Sequence, residues 1–292
     1  MSDKVPELPE VETIKRGLGK NIVGKKIADF DCDWQKAINY SLKEYKSKVR
    51  GLQIKDVKRR AKMLILNLSK NWNILVHLKM TGQLVYGSKT KCVVGGHPIE
   101  EGYDCLPNRF THATFTFFDQ SHLYFNDIRK FGWLRLFTDA ELAEELAKLN
   151  LGPEPLSSEF TLAYLKGRLS KRPNNRIKQF LMDSSNVVGV GNIYSDEVCF
   201  YAKVKPIRLV KTLKESEIKL IYKGIKKILA DSIKLQGTTF SDYRNAQGEA
   251  GAFSKKLKVY GRYGQKCKIC GTIIKKIKIG GRTSSFCPQC QK

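Results

Sequence analysis

Acidic residues are scarce in this chain. Only 28 Asp and Glu stand against 53 Lys and Arg in 292 residues, a formal net charge of +25. That imbalance points to a polyanionic partner, and to nucleic acid more readily than to a membrane surface. Long apolar runs are also missing, which excludes a helical membrane span. No signal-peptide pattern opens the sequence, so a reducing cytosol is the expected compartment. No internal repeat is evident, so a repeat array is not expected. Hydrophobic residues are not scarce: at 41% they allow sizeable cores and exclude wholesale disorder. The length suits two domains and a small module.

Cysteine is thinly scattered except at one place. Of eight, four stand in Cys267-Lys-Ile-Cys270 and Cys287-Pro-Gln-Cys290, two knuckles separated by 16 residues. Four thiolates at that spacing suit one tetrahedral Zn2+, two ligands from each tight turn. Four Cys leave no open position for water, so the zinc is structural. Arg282, between the knuckles, is expected at the tip of the hairpin they close. Cys32, Cys92, Cys105 and Cys199 are expected to be free thiols. Cys92, His97 and Cys105 share one glycine-containing stretch, but their spacing fits no usual metal pattern and a plain surface loop is expected.

Periodicity divides the chain. Val11, Ile14 and Leu18 mark one face of a short helix ending near Gly19. From about Lys25 to Phe137, short apolar runs such as Met63-Leu-Ile-Leu and Ala113-Thr-Phe-Thr-Phe117 read as strands of a β-sandwich or barrel. Tyr86 to Asn108 breaks the rhythm like an inserted loop. Thr138-x-x-Glu141 is a capping box opening a helix through Leu149. Leu151-Gly152-Pro153-Glu154-Pro155 then forms a hinge. Beyond it the chain is helical. Thr212-x-x-Glu215 is a second capping box, followed by Ile218, Ile221, Tyr222, Ile225, Ile228 and Leu229 on one core-facing stripe. Gly237 to Gly251 is polar and glycine-rich, a loop pattern. The expected division is 1–137 (with a helix over 6–18), 138–160, 161–257 and 258–292.

Several stretches could carry chemistry. Ile177, Phe180 and Leu181 suit a helix, Ser184 to Gly191 reads as two turns, and Asn192 could cap a second helix. Gly189-x-Gly191 before a helix exposes backbone N–H groups for a phosphate, and Lys178 would add a cation. An ordinary helical hairpin is the plainer alternative. Asn126-Asp-Ile-Arg129-Lys130-Phe131-Gly132 pairs cations with an aromatic wedge, and Met80 offers a second wedge; singly, such residues are more often core. Arg59-Arg60-Ala61-Lys62 alone would be a solvated surface run. Pro6 precedes Glu7. A proline that begins a chain is a secondary amine able to attack a sugar C1′, with an adjacent carboxyl to move protons. An internal proline nitrogen is a tertiary amide without that chemistry.

Together these motifs resemble the formamidopyrimidine-DNA glycosylase family, from Pro6 to the C-terminus apart from the insertion. The match is carried by Pro6-Glu7-Leu-Pro9-Glu10-Val-Glu12-Thr13, Arg59-Arg60-Ala-Lys62, Asp127-Ile-Arg129-Lys-Phe131-Gly132, Gly189-Val-Gly191-Asn192-Ile-Tyr194, Val259-Tyr260-Gly261-Arg262 and the four-cysteine finger with Arg282. The resemblance implies an α+β multidomain fold: an N-terminal catalytic β-sandwich, a helix–two-turn–helix DNA-binding domain and a zinc-finger hairpin, with DNA in a basic cleft. It implies a bifunctional glycosylase and abasic-site lyase acting as a monomer on duplex DNA with oxidised purines or abasic sites, in the bacterial cytoplasm and at the nucleoid when DNA-bound.

By the same resemblance, Pro6 is the Schiff-base nucleophile and Glu7 the proton donor in base excision. Lys62 donates a proton at β-elimination, and Arg282 clasps the phosphate beside the lesion. Met80, Arg129 and Phe131 fill the void left by the flipped nucleotide. Lys178 and Asn192 contact phosphates, with Tyr260 and His112 also on the DNA-binding list. Gly237 to Phe253 matches the loop over an extruded base. Three features depart from the family pattern. Met1 to Val5 precede Pro6, and Val5 is the expected true start, a GUG codon read as Met and then trimmed. Phe110 replaces the first histidine of a Lys-His-x-His contact, leaving His112 as the second. The stretch around Cys92 to Cys105 is additional. An endonuclease VIII-type enzyme for oxidised pyrimidines, or a damage-binding module without catalysis, are the alternatives.

Overall fold

The computed structural model describes residues 5–88, 91–96, 106–238 and 251–292. The chain divides into two compact units, Met1–Leu149 with Leu235–Ala252, and Asn150–Lys234 with Phe253–Lys292.

The first unit opens with α1 (Leu8–Ile22), in which Pro9 occupies the first turn, where a missing N–H is harmless. Val11, Ile14, Leu18 and Ile22 form its buried face. The helix therefore passes the expected end at Gly19: Ile22 still anchors in the core, and the chain reverses only at Gly24, whose φ is 89°. Next come β1 (Ile27–Cys32), α2 (Leu42–Val49) and eight more strands. Four of these, β2 (Ile54–Arg60), β3 (Met63–Leu68), β4 (Trp72–His77) and β9 (Trp133–Thr138), make an antiparallel sheet in the order β2-β3-β4-β9. The second sheet, β1-β7-β8-β5-β6, adds β5 (Gly82–Ser88), β6 (Lys91–Gly96), β7 (Thr111–Phe117) and β8 (His122–Asp127).

Alternate residues of both sheets turn inward. Phe30, Leu84, Phe115 and Phe125 of one sheet share a single core with Val57, Leu66, Ile74 and Leu134 of the other, closed by the α1 face. The Tyr86–Asn108 stretch is not wholly a loop. Its first part continues β5 and returns as β6, paired from Gln83↔Gly96 to Ser88↔Lys91. The Val-Val pair there favours an extended backbone, a signal too short to stand out in the sequence. Cys92 lies on β6, while His97 and Cys105 fall outside the described residues. The Thr138–Glu141 capping box opens α3 (Asp139–Lys148) as expected.

The second unit carries α4 (Leu162–Ser170), α5 (Ile177–Met182), α6 (Asn192–Tyr201), α7 (Glu215–Lys234) and a hairpin of β10 (Lys275–Ile279) and β11 (Arg282–Phe286). The expected capping box at Thr212 does not form. The Thr212 hydroxyl donates to the Leu209 carbonyl, and the Glu217 carboxylate accepts the Lys214 N–H at 2.7 Å instead. The α7 stripe is core, with Ile221, Ile225, Ile228 and Leu229 buried. Gly224 lets α7 approach α6, since a Cβ there would stand 2.8 Å from the Tyr201 ring. Among the described residues no helix is long and apolar enough to cross a membrane.

Candidate active site and metal centre

The start of α1 is held by carboxylates. Pro6, Glu7 and Glu10 are all buried. The Glu10 carboxylate accepts the Glu7 backbone N–H at 3.0 Å and the Thr238 N–H at 2.8 Å. One side chain thus fixes the helix entrance and the residue at one edge of the 239–250 segment. Gly237 (φ 86°) makes this approach possible, because a Cβ there would meet Glu10 Oε1 at 3.0 Å. Of the Gly237–Phe253 loop expected to close over an extruded base, residues 239–250 lie outside the described residues.

Lys62 occupies the two-residue turn between β2 and β3, after Ala61 at φ 54°. Arg59 fastens that turn, donating to Glu12 of α1 at 3.0 Å and to the Ala61 carbonyl at 2.9 Å. Burial pushes the Glu12 carboxyl up, but the Arg59 and Arg16 guanidinia and Lys15 overcome it and hold it below the usual range. Nearby His77 accepts the Lys79 N–H at 3.0 Å. Burial, with the charges of Lys79 and Lys62, pushes its pKa down to about 3, so the ring is neutral at physiological pH.

Met80, Arg129 and Phe131 come together. An Arg129 Nη lies 3.2 Å from the Met80 sulfur, and the guanidinium stands 4.7 Å from the Phe131 ring centroid. Phe131 is 50% exposed, unusual for a large apolar ring. Buried Asp127 shapes the turn beneath them: Oδ2 accepts the N–H groups of Phe131 (2.9 Å) and Gly132 (2.7 Å), and Oδ1 accepts the Arg129 N–H (3.1 Å) and the Thr81 hydroxyl. His112 is buried, with Nδ1 2.9 Å from Asp33 Oδ1 and Nε2 3.1 Å from the Asp127 carbonyl. Both ring nitrogens are therefore used inside the unit. Phe110, in the substituted position, packs under the Arg109 guanidinium at 4.7 Å.

In the second unit, Gly191 is the N-cap of α6 and Asn192 its first residue, so the cap falls one place earlier than the expected Asn192. The Asn192 Oδ1 is a buried oxygen with no hydrogen-bond partner among the described residues. Lys178 is buried rather than presented to solvent: Nζ lies 2.6 Å from Asp196 Oδ1. Buried Glu197 accepts the backbone N–H groups of Lys258, Val259 and Tyr260 at 2.9–3.1 Å, which makes the bend into the finger. Tyr260 itself is buried. Arg282 opens β11 after the Gly280-Gly281 turn, where φ is 54° and 79°. A Cβ on Gly280 would meet Gln179 of α5 at 2.7 Å, so the hairpin tip sits tightly against that helix.

The sulfurs of Cys267, Cys270, Cys287 and Cys290 lie within 4.8 Å of one another. Four thiolates in one cluster fit a single tetrahedral zinc ion. Cys267 and Cys287 also pack with Phe200, Val259 and Ile274, so the metal centre and the local core are one object.

Three family models cover most of the chain: the formamidopyrimidine-DNA glycosylase N-terminal domain over 5–134, the H2TH domain of the same enzymes over 151–244, and the zinc finger found in FPG and IleRS over 264–292. The chain belongs to the formamidopyrimidine-DNA glycosylase family. The Carboxydothermus hydrogenoformans member is 40% identical over 289 residues, covering 99% of this chain and 100% of the relative. The Desulfitobacterium hafniense member is 38% identical over 288 residues, covering 98% and 100%. Two solved structures are also similar. Lactococcus lactis Fpg with abasic-site DNA has a TM-score of 0.86 at 34% identity, covering 98% of this chain and 99% of that one. MutM with carbocyclic 8-oxo-G DNA has a TM-score of 0.87 at 33% identity, covering 98% and 100%.

Within this glycosylase family member, the fold gathers Pro6, Glu7, Lys62, Met80, His112, Arg129 and Phe131 in one unit, and Lys178, Asn192, Tyr260, Arg282 and the four knuckle cysteines in the other. The buried acids Glu10, Asp127, Asp196 and Glu197 are the residues to which sequence reasoning gave no role. Each binds a group distant in sequence: Thr238 for Glu10, the Thr81 hydroxyl for Asp127, Ser285 for Asp196 and Val259 for Glu197. An adjacent pair of acids leading into the apolar Val198-Cys-Phe200 run was the available signal for Asp196 and Glu197.

Proposed function

We propose that this chain is a bifunctional DNA glycosylase and abasic-site lyase, which excises oxidised purines from duplex DNA and then cuts the strand in base excision repair. The Met80–Arg129–Phe131 cluster carries the reading. It is a partly exposed wedge on a turn fixed by four hydrogen bonds, which suits filling a gap in a base stack. Such a gap must open, because a glycosidic carbon cannot be reached inside stacked duplex.

The Pro6 secondary amine attacks C1′ of the flipped nucleotide and the C1′–base bond breaks. Glu7 moves protons during ring opening and base departure. The resulting iminium draws electrons from C2′, so loss of a C2′ proton expels the 3′-phosphate, with Lys62 as proton donor. Loss of the C4′ proton then expels the 5′-phosphate, with Arg282 holding the phosphate beside the lesion. Water then releases the sugar remnant and restores the amine. The four cysteines hold a zinc that keeps the Arg282 hairpin closed.

Asn192 at the start of α6 binds phosphate, and Tyr260 anchors the bend that leads into the finger. His112 and Lys178, both buried, act through what they hold: His112 through the Asp127 carbonyl, Lys178 through Asp196. The chemistry requires a free amine on Pro6, so the active species lacks residues 1–5. The N-terminal family match beginning at Val5 supports this. Bacterial relatives support a cytoplasmic enzyme acting on the chromosome, and a single chain supplies every proposed site residue, so a monomer suffices.

Substrate class is tested by excision from 8-oxoguanine and thymine-glycol duplexes, using protein that begins at Pro6. Faster excision of 8-oxoguanine is expected. Faster excision of thymine glycol would make it a pyrimidine enzyme. Binding without cleavage of either duplex would leave only a damage-binding module.

A further inference from the structure

A cavity of about 560 Å³ opens on the second unit, and none of Lys178, Asn192, Tyr260 and Arg282 lines it. Its floor is apolar, made by Phe200 and Tyr201 of α6, Ile228 of α7, Phe253, and Ile269 of the first cysteine knuckle. Ile269 is 69% exposed, the most exposed of the large apolar residues described. Lys203, Lys256, Lys258 and Lys292 rim this floor, all exposed. A fifth lysine, Lys227, is 3.1 Å from Asp231, so that acid is already neutralised. The other lining acid, Glu197, is buried and occupied by three backbone N–H groups.

The cavity takes different ends of its elements from Asn192 and Arg282 in the same unit. It takes the C-terminal turn of α6, whereas Asn192 begins that helix. At 1.5 Å per residue the two ends are roughly 12 Å apart. It also takes the knuckle end of the finger, whereas Arg282 is at the hairpin tip. A five-residue strand separates those ends by roughly 13 Å. Duplex backbone carries no apolar group to fill such a floor. Lysines that only solubilise a surface would not need to encircle one.

We propose that this cavity is a docking site for an acidic peptide segment with one aromatic anchor, presented by a partner protein. The ring fills the floor against Ile228, Phe253 and Ile269. Flanking carboxylates pair with Lys203, Lys256 and Lys258. Exposed pairs of this kind are individually weak, so the buried ring supplies most of the affinity and the lysines supply selection. Because the site lies apart from Asn192 and Arg282, docking leaves DNA binding intact. The repair enzyme could thus be carried by a partner while engaged on a lesion.

The test is fluorescence anisotropy with the zinc-loaded full chain and a fluorescein-labelled Asp/Glu-rich peptide bearing one central Phe. Titrations are run with and without a saturating abasic-analogue duplex. A Kd of about 10–100 μM is expected, unchanged by duplex. Replacing the peptide Phe by Ser should weaken binding at least ~10-fold, as expected for loss of a buried aromatic anchor. Ile269→Ser and the double reversal Lys203→Glu/Lys256→Glu should each weaken peptide binding several-fold, with zinc content and duplex affinity unchanged. Displacement of the peptide by duplex, or affinity indifferent to both Ile269→Ser and the peptide Phe, would overturn the proposal. So would absence of binding at ~1 mM peptide. An oligothymidylate that displaces the peptide in an Ile269-dependent way would reassign the cavity to single-stranded nucleic acid.

Discussion

Lys178 and Asp196 form an ion pair sealed from solvent: Nζ lies 2.6 Å from Oδ1, and the side chains are 1% and 0% exposed. Asp196 also accepts the Ser285 N–H at 2.7 Å and the Ser284 hydroxyl, and Lys178 reaches the Thr283 carbonyl at 3.4 Å. Burial pushes the Asp196 carboxyl up, against the pull of Lys178. The pair therefore binds α5, α6 and β11 at the three residues after Arg282. Removing one member strands a buried charge, so Lys178→Met should lower unfolding free energy by about 3–5 kcal/mol. Adding Asp196→Asn to that variant should restore part of the loss, because the carboxylate charge is gone. Urea melts of the two variants decide this. Equal instability of the single and double variants would refute a charge-based role.

The wedge turn gives a second expectation. A Cβ on Gly132 would stand 2.7 Å from Phe125 Cζ, 3.0 Å from the His77 carbonyl and 3.1 Å from Asp127 Oδ2. Gly132→Ala should cost about 1–3 kcal/mol by overpacking and should also reduce lesion excision. Phe131→Ala, at a half-exposed ring, should stay within about 0.5 kcal/mol of the parent yet reduce excision as strongly. Thermal melts set beside single-turnover excision separate the two effects.

The neutral His77 makes stability pH-dependent. In the unfolded chain its pKa is near 6.5, and in the fold it is about 3. Between those values the unfolded state holds the extra proton, so stability is full above 6.5 and falls as pH drops towards 3. The difference between the parent and His77→Asn should narrow by about 1–2 kcal/mol from pH 7 to pH 5. A constant difference would show that the ring titrates normally.

Zinc removal should act on one unit alone. The cysteine cluster shares its core with Phe200 and Val259, so chelation should loosen the Arg282 hairpin and weaken duplex binding. All three tryptophans, Trp34, Trp72 and Trp133, lie in the first unit. Tryptophan emission should therefore stay constant during chelation while duplex affinity falls. A parallel loss of both would mean that the finger supports the sandwich as well.

Features encoded over short spans were legible in the sequence. The cysteine knuckles, the Thr138–Glu141 cap and the α7 stripe each depend on spacings of a few residues. The sandwich was legible as a class because short apolar runs recur at close spacing between Lys25 and Phe137. What holds the site was not. Glu10 meets Thr238 across 228 positions, Asp127 meets Thr81 across 46, and Glu197 meets Val259 across 62. No local pattern marks such pairs. Lys178 and His112 looked like solvent-facing contacts because a charge or imidazole next to a motif reads the same whether it faces DNA or a buried carboxylate.

The most direct measurement is borohydride trapping on an 8-oxoguanine:C duplex, comparing protein that begins at Pro6 with the full 292-residue chain. Borohydride reduces an iminium to a stable protein–DNA bond. A crosslink is expected with the Pro6-initiated protein, mapping to Pro6, and none with the full chain. No crosslink with either form, or one that maps elsewhere than Pro6, would contradict the proposed mechanism.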